Sequence, residues 1–171
     1  MKRTILLSLF CLAGIVMANA QKFALIDMEY IMENIPEYQQ ANNELELASQ
    51  QYQKAVEAKA KEAEALYLAY QKAANTLSAT QRTQKEEAIV AKEREAAELR
   101  KKYFGPEGEM AQKQEALIAP IQNRIYEAVK QISSQKGYDA VIDRASATSI
   151  IFASPRIDIS NEVLAKLGYS N

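Results

Sequence analysis

Residues 37–104 read EYQQANNELELASQQYQKAVEAKAKEAEALYLAYQKAANTLSATQRTQKEEAIVAKEREAAELRKKYF, sixty-eight consecutive positions with neither glycine nor proline. A stretch so rich in Ala, Glu, Gln and Lys reads as helix. Taken as one rod it would span about 100 Å at 1.5 Å per residue. Its only cluster of cap-type residues is Asn75, Thr76, Ser78 and Thr80 around Leu77. Their side chains compete for backbone hydrogen bonds and make a turn least costly there. The rod is therefore expected to fold back near residues 75–80.

An antiparallel hairpin centred near residue 77.5 sets residue i opposite residue 155 − i, and apolar residues fall on that rule: Leu66 with Ile89, Val56 with Leu99, Tyr52 with Tyr103, Leu45 with Met110, Tyr38 with Leu117. Along the first arm, Val56, Ala63, Leu66, Tyr70, Ala73 and Leu77 follow the heptad spacing of a coiled coil. Toward the tip, Lys85 falls opposite Tyr70 and Lys92 opposite Ala63. Those layers bury little apolar area, which predicts arms that splay or bend. Gly105, Pro106, Glu107 and Gly108 interrupt the return arm, where a kink is expected. Helix resumes with an apolar face of Met110, Leu117, Ile118, Ile121, Ile125, Val129 and Ile132, and Gly137 ends it.

Three short apolar segments outside the hairpin read as strands: Phe23–Ile26, Tyr138–Ile142 and Ile150–Phe152. A last helix follows Pro155, with Ser160 as its expected N-cap and Gly168 beyond its end. The expected class is α+β: a long antiparallel helical hairpin, a coiled-coil arm at 37–117, on a small three-stranded β body at 21–36 and 118–171. Apolar residues on both faces of that sheet (Phe23, Leu25 and Ile26; Val141 and Ile142; Ile150, Ile151 and Phe152) would leave edges and a face uncovered in one chain. Self-association about a closed axis into a shared barrel-like body is the expected remedy.

The first twenty residues read as a signal peptide. Lys2 and Arg3 precede an apolar run from Ile5 to Val16, and Ala18-Asn19-Ala20 gives the small-residue cleavage spacing, placing the cut before Gln21. The only cysteine, Cys11, lies inside that run. Loss of Lys2 and Arg3 leaves 19 basic against 22 acidic residues, a net charge of −3, which argues against nucleic-acid binding.

With no histidine anywhere, the commonest general base and metal ligand are absent, and no catalytic, metal or cofactor residue is assigned. Glu86, Glu87, Glu93, Glu95 and Glu98 interleave with Lys85, Lys92, Arg94 and Arg100 at helical spacing, as a solvated ion-paired face does. Ser133-x-x-Lys136 lacks the partner motifs of an acyl-transfer enzyme, and no phosphate-binding glycine loop occurs. Arg100-Lys101-Lys102 reads as surface. Tyr67, Tyr70 and Leu77, near the tip, are the candidate partner contacts.

The opening KFALIDMEYIMENIPEYQ, the glycine-free hairpin, and the closing LIAPIQNRIYEAVKQISSQKGYDAVIDRASATSIIFASPRIDISNEVLAKLG together resemble the Skp (OmpH-like) family of periplasmic outer-membrane-protein chaperones. The likeness covers the whole exported chain. Its most specific parts are Ile26-Asp27, Tyr138-Asp139-x-Val141-Ile142-Asp143 and Asp158-Ile159-Ser160-x-Glu162-Val163-Leu164. The resemblance implies a homotrimer with a β-barrel-like core and three arms. It also implies a periplasmic holdase that cradles unfolded outer-membrane proteins between those arms without ATP, with no cofactor and no stable membrane insertion. Family arms are strongly basic, whereas residues 37–104 carry 11 basic and 11 acidic side chains, which puts lipopolysaccharide contact in doubt. The competing reading is a structural coiled-coil tether or adaptor docking to a fixed envelope partner. The polar, small-residue tip from Asn75 to Gln84 lacks the dense docking motif such a tether needs.

Overall fold

A computed structural model of the chain describes residues 21–147 and 149–169. The expected signal peptide, its cleavage context and Cys11 lie outside the described residues. In order, the elements are β1 (Phe23–Ile26), α1 (Met28–Glu33), α2 (Pro36–Ala73), α3 (Ala79–Phe104), α4 (Glu109–Lys136), β2 (Ala140–Asp143), a 3-10 turn (Pro155–Ile157) and α5 (Ser160–Lys166). Two compact units emerge. One holds the described residues up to Ile31 with those from Tyr126 onward, and the other is Met32–Ile125.

In the first unit, β1 and β2 form a two-stranded parallel sheet with Phe23 beside Ala140 and Ile26 beside Asp143. Aspartates fasten the ends of the pair. Lys22 and Asp139 exchange two hydrogen bonds of 2.8 Å, backbone to backbone and backbone to carboxylate. Asp143 accepts from the backbone N–H of Met28 and of Ala145. Burial alone would raise the Asp143 pKa; these N–H donors and the Ser146 hydroxyl outweigh it and hold the carboxyl below its usual range. Asp27 caps α1 by accepting from the Tyr30 N–H at 2.9 Å, and Arg144 bridges Asp27 and Asp158 at 3.0 and 3.4 Å.

The sheet corrects the expected architecture. Ile150–Phe152 forms no strand: residues 150–154 have no regular structure, and Ile151 and Phe152 are 101% and 84% exposed. The reason is that β1's second edge is already engaged. Leu25 bridges Asp158, and the Ile159 N–H donates to the Leu25 carbonyl at 2.9 Å. A β-branched tripeptide can join a sheet only where an edge is open to it. Among the described residues the sheet is thus two-stranded and open, with no three-stranded body and no barrel-like core. The demand for closure also weakens at its source, because Ala24, Leu25 and Ile26 are buried within the single chain. The same unit buries Ile31, Ala128, Ile132, Ile159, Val163 and Leu164.

Ser160 also departs from expectation. It is the first residue of α5 rather than its cap, and its hydroxyl accepts from the Asp27 N–H at 2.8 Å while donating to Asp158 at 2.6 Å. It therefore ties the end of β1 to the start of α5, more than a hundred residues apart.

In the second unit, α2 is a 38-residue helix begun by Pro36, where a missing N–H costs nothing. The chain reverses between Ala73 and Ala79, and Ser78 with Gln81 forms a reciprocal capping box at the start of α3. Val56, Ala63, Ile89 and Ala96 are buried on the facing sides. Gly105 to Gly108 then separate α3 from α4. Beyond that break the expected register drifts: Glu44 pairs with Lys113 and Glu37 with Arg124, so position sums rise from 155 to 157 and then 161. The four-residue interruption lets α4 advance relative to α2, and the expected Leu45–Met110 and Tyr38–Leu117 layers shift with it.

A Cβ on Gly108 would lie 2.8 Å from the Tyr103 carbonyl oxygen and 2.9 Å from the Lys102 oxygen and the Gly105 nitrogen, all backbone atoms that cannot rotate away. Gly137, by contrast, has open space but φ +68°, and it closes α4 with the Tyr138 N–H donating to the Ser133 carbonyl at 3.0 Å. Urea unfolding is expected to show Gly108→Ala destabilised by about 1–3 kcal/mol through overpacking and Gly137→Ala by about 1–2 kcal/mol through the left-handed backbone. Wild-type midpoints in both variants would refute the assigned roles.

Candidate functional site

The pairing of α2 and α3 positions the surface that can meet another molecule. At the base of that surface, Tyr52 stacks on Tyr103 with ring centroids 4.1 Å apart and planes 7° from parallel, and Phe104 meets Tyr52 edge-on at 6.3 Å. This is the layer expected from the hairpin rule. Glu109, from the first turn of α4, accepts from the Tyr52 hydroxyl and pairs with Lys102 at 3.1 Å. The Glu109 carboxyl is held below its usual range by Lys102 first and Tyr52 second, while the Tyr52 phenol is pushed up chiefly by Glu109. Aromatic stacking and one carboxylate thus join three helices beside the glycine break.

Further along, Lys59, Glu62, Lys92 and Glu95 close a ring of charge between the helices. The within-helix pairs Lys59–Glu62 and Lys92–Glu95 measure 3.0 and 2.8 Å, and the cross-helix pairs Lys59–Glu95 and Lys92–Glu62 measure 3.7 and 3.6 Å. Glu62 is held below the usual carboxylate range by Lys59 first, and Glu95 by Lys92 first. Sequence reasoning placed Lys92 and Glu95 on a solvated, ion-paired face, did not single out Lys59 and Glu62, and missed that the four bridge the arms. The signal was present, since Lys59-x-x-Glu62 on one arm and Lys92-x-x-Glu95 on the other are brought together by the reflection rule.

Of the expected contact residues, Tyr67 is 48% exposed and lines a groove of about 420 Å³ with Ala60, Ala63, Glu64, Glu93 and Ala96. Tyr70 is half-buried, its hydroxyl donating to Glu86 across the pair. Leu77 is half-buried in the turn. The three therefore differ in exposure and partners, with Tyr67 open to the groove, Tyr70 bonded across the pair and Leu77 in the turn. Leu47, Leu68 and Val90 are also exposed on the helical pair and were not anticipated.

The expected association residues divide in the same way. Leu25 and Ile26 are buried within their own unit, Val141 and Ile150 are half-buried, and Phe23, Ile142, Ile151 and Phe152 are exposed. Among the described residues, no cluster of acidic, histidine or cysteine side chains could hold a metal ion, and no helix is long and apolar enough to cross a membrane.

The model of the OmpH family, "Outer membrane protein (OmpH-like)", matches residues 22–167. The chain belongs to this OmpH-like family. It is 27% identical over 156 residues to "Chaperone protein Skp" of Yersinia enterocolitica, covering 91% of this chain and 92% of that one. A solved structure of an OmpH-like protein from Caulobacter crescentus superposes with a TM-score of 0.66 at 13% identity, over 86% of this chain and 83% of that one. At that identity the likeness speaks for the fold.

The charge ring carries a pH dependence. A carboxylate whose folded pKa lies below its unfolded value, taken as 4.5, binds fewer protons when folded. Its stabilisation is complete above the unfolded value and is lost as pH falls through the folded one. Thermal unfolding followed by helix circular dichroism is expected to fall between about pH 5 and pH 3. The fall should be smaller in Glu62→Gln/Glu95→Gln. Identical profiles for the two proteins would remove the ring from the account of arm stability.

Proposed function

We propose that this chain is an OmpH/Skp-type periplasmic chaperone that holds unfolded outer-membrane proteins on its paired helices without nucleotide. Family membership across residues 22–167 carries the reading. What supports it physically is a pair of long helices that leaves Leu47, Tyr67, Leu68 and Val90 exposed among charged and polar residues rather than in one dense patch. Scattered apolar side chains of that kind bind extended, variable polypeptides through many weak contacts, whereas a fixed partner is met by one dense patch. The tether reading is set aside with the family assignment. A chaperone of this kind is not an enzyme.

Residues 37–117 serve as the arm and residues 21–36 with 118–171 as the body. Tyr67, Tyr70 and Leu77 are among the contacts, with Tyr67 the most accessible of the three. Export precedes function: the signal peptide is removed before Gln21, and the chain works in the periplasm.

A β-barrel membrane protein diluted from urea is expected to stay clear of turbidity in stoichiometric excess of the purified protein, equally with and without ATP. Tyr67→Ala alone should change the suppression by less than about twofold, because distributed weak contacts tolerate single losses. Absence of suppression across a range of salt, or a requirement for ATP, would overturn the holdase reading.

A further inference from the structure

The two flanks of the α2–α3 pair differ in how their carboxylates are satisfied. On one flank Glu62 and Glu95 are bound into the lysine ring, and Glu98 pairs with Arg94 at 2.8 Å. On the other, Glu64 from α2 and Glu93 from α3 line the groove beside Tyr67 and make no ion pair among the described residues. The floor between them holds Ala63 and Ala96, both buried, with Ala60 beside them. We propose that this groove receives a lysine or arginine side chain of an extended, unfolded polypeptide.

Each element of the groove fits that guest. The exposed face of an aromatic ring attracts a cation, arginine most of all. Carboxylates from facing helices offer ion partners on both walls, and an alanine floor leaves room for the aliphatic stem that a long cationic side chain lays along apolar surface. An anionic guest would meet two negative walls. A purely apolar guest would cover two carboxylates without giving them a partner, which costs free energy. The inference rests on the holdase reading and narrows it, since it assigns the arm a preference for cationic positions within its clients.

The test uses two short, unstructured, fluorescein-labelled peptides with arginine at alternate positions in one and citrulline, which keeps the shape and removes the charge, in the other. Fluorescence anisotropy against the purified protein is expected to show the arginine peptide binding about three- to tenfold more tightly at low salt, with the ratio shrinking as salt rises. Glu64→Gln/Glu93→Gln should bring the ratio close to one. Glu46→Gln/Glu87→Gln, with the same change in net charge outside the groove, should keep it. Equal binding of both peptides by the wild type, no binding of either, a ratio that survives in Glu64→Gln/Glu93→Gln, or an equal loss in the control variant would overturn the proposal. Displacement of the arginine peptide by spermidine at matched charge would reassign the groove to free polyamines. A native mass altered in Glu64→Gln/Glu93→Gln with peptide preference intact would reassign it to a second copy of the chain. Failure of turbidity suppression with the arginine preference intact would instead sink the holdase reading and leave the groove standing.

Discussion

The parallel pairing of β1 with β2 is the constraint on which the rest of the chain depends. Lys22 and Asp139 meet across a sequence separation of 117, so everything between them must leave one place and return to it. Loop-closure entropy grows slowly with length, and a ring of this size costs only about 2 kcal/mol more than a fifteen-residue one. That cost is offset by groups concentrated where the ends meet: the strand ladder, the reciprocal Lys22–Asp139 bonds, the Asp143 carboxylate on the Met28 N–H, and Ser160 on the Asp27 N–H. The motifs Ile26-Asp27, Asp139 to Asp143 and Asp158 to Ser160 are therefore the fastenings of the returning chain. Their polar members hold backbone groups that a two-stranded sheet leaves without ladder partners.

Within the helical pair the balance of forces is different. Its buried side chains are few and small, with Ala63 and Ala96 among them, so apolar burial is modest along much of the contact. The Lys59–Glu62–Lys92–Glu95 ring and the Tyr52–Tyr103 stack supplement it at separated points. An isolated surface ion pair contributes little, but four charges in a closed arrangement hold one another in place. The glycine break lies beside the aromatic layer, and Glu109 links the far side of the break to Tyr52 and Lys102. The break between the two helices is thus bracketed by a specific contact.

Much of this was legible in the sequence, and the exceptions share a cause. The turn, the break at Gly105 to Gly108 and the Tyr52–Tyr103 layer follow from local chemistry: cap residues, backbone freedom, and apolar periodicity reflected about one point. The third strand at Ile150–Phe152 and the cap role of Ser160 failed because both depend on what occupies a distant partner. Apolar β-branched composition registers strand tendency, but pairing also needs an edge, and the backbone at Asp158 and Ile159 had taken it. Likewise Ser160 looked like a cap for its own helix while its hydroxyl was engaged by Asp27 and Asp158. The groove was missed for a related reason. Glu64 and Glu93 look like any other exposed helix charges until the register sets them on opposite walls of one cleft.

That groove also places stability and binding in opposition. Alanine at 63 and 96 lets the helices approach, yet it leaves the space beside Tyr67 unfilled. A leucine or isoleucine at either position would bury more area and strengthen a weak layer of the seam, provided the helices could adjust to its bulk. It would also occupy the volume that a guest side chain needs. An arm selected for tight packing alone would have no reason to keep a small buried residue on each helix at a thin point of its seam. An arm that must hold many chains briefly has one, because stabilising substitutions at a binding surface commonly cost function. The thin apolar packing noted along this stretch is therefore of a piece with weak, repeated, partner-tolerant contact.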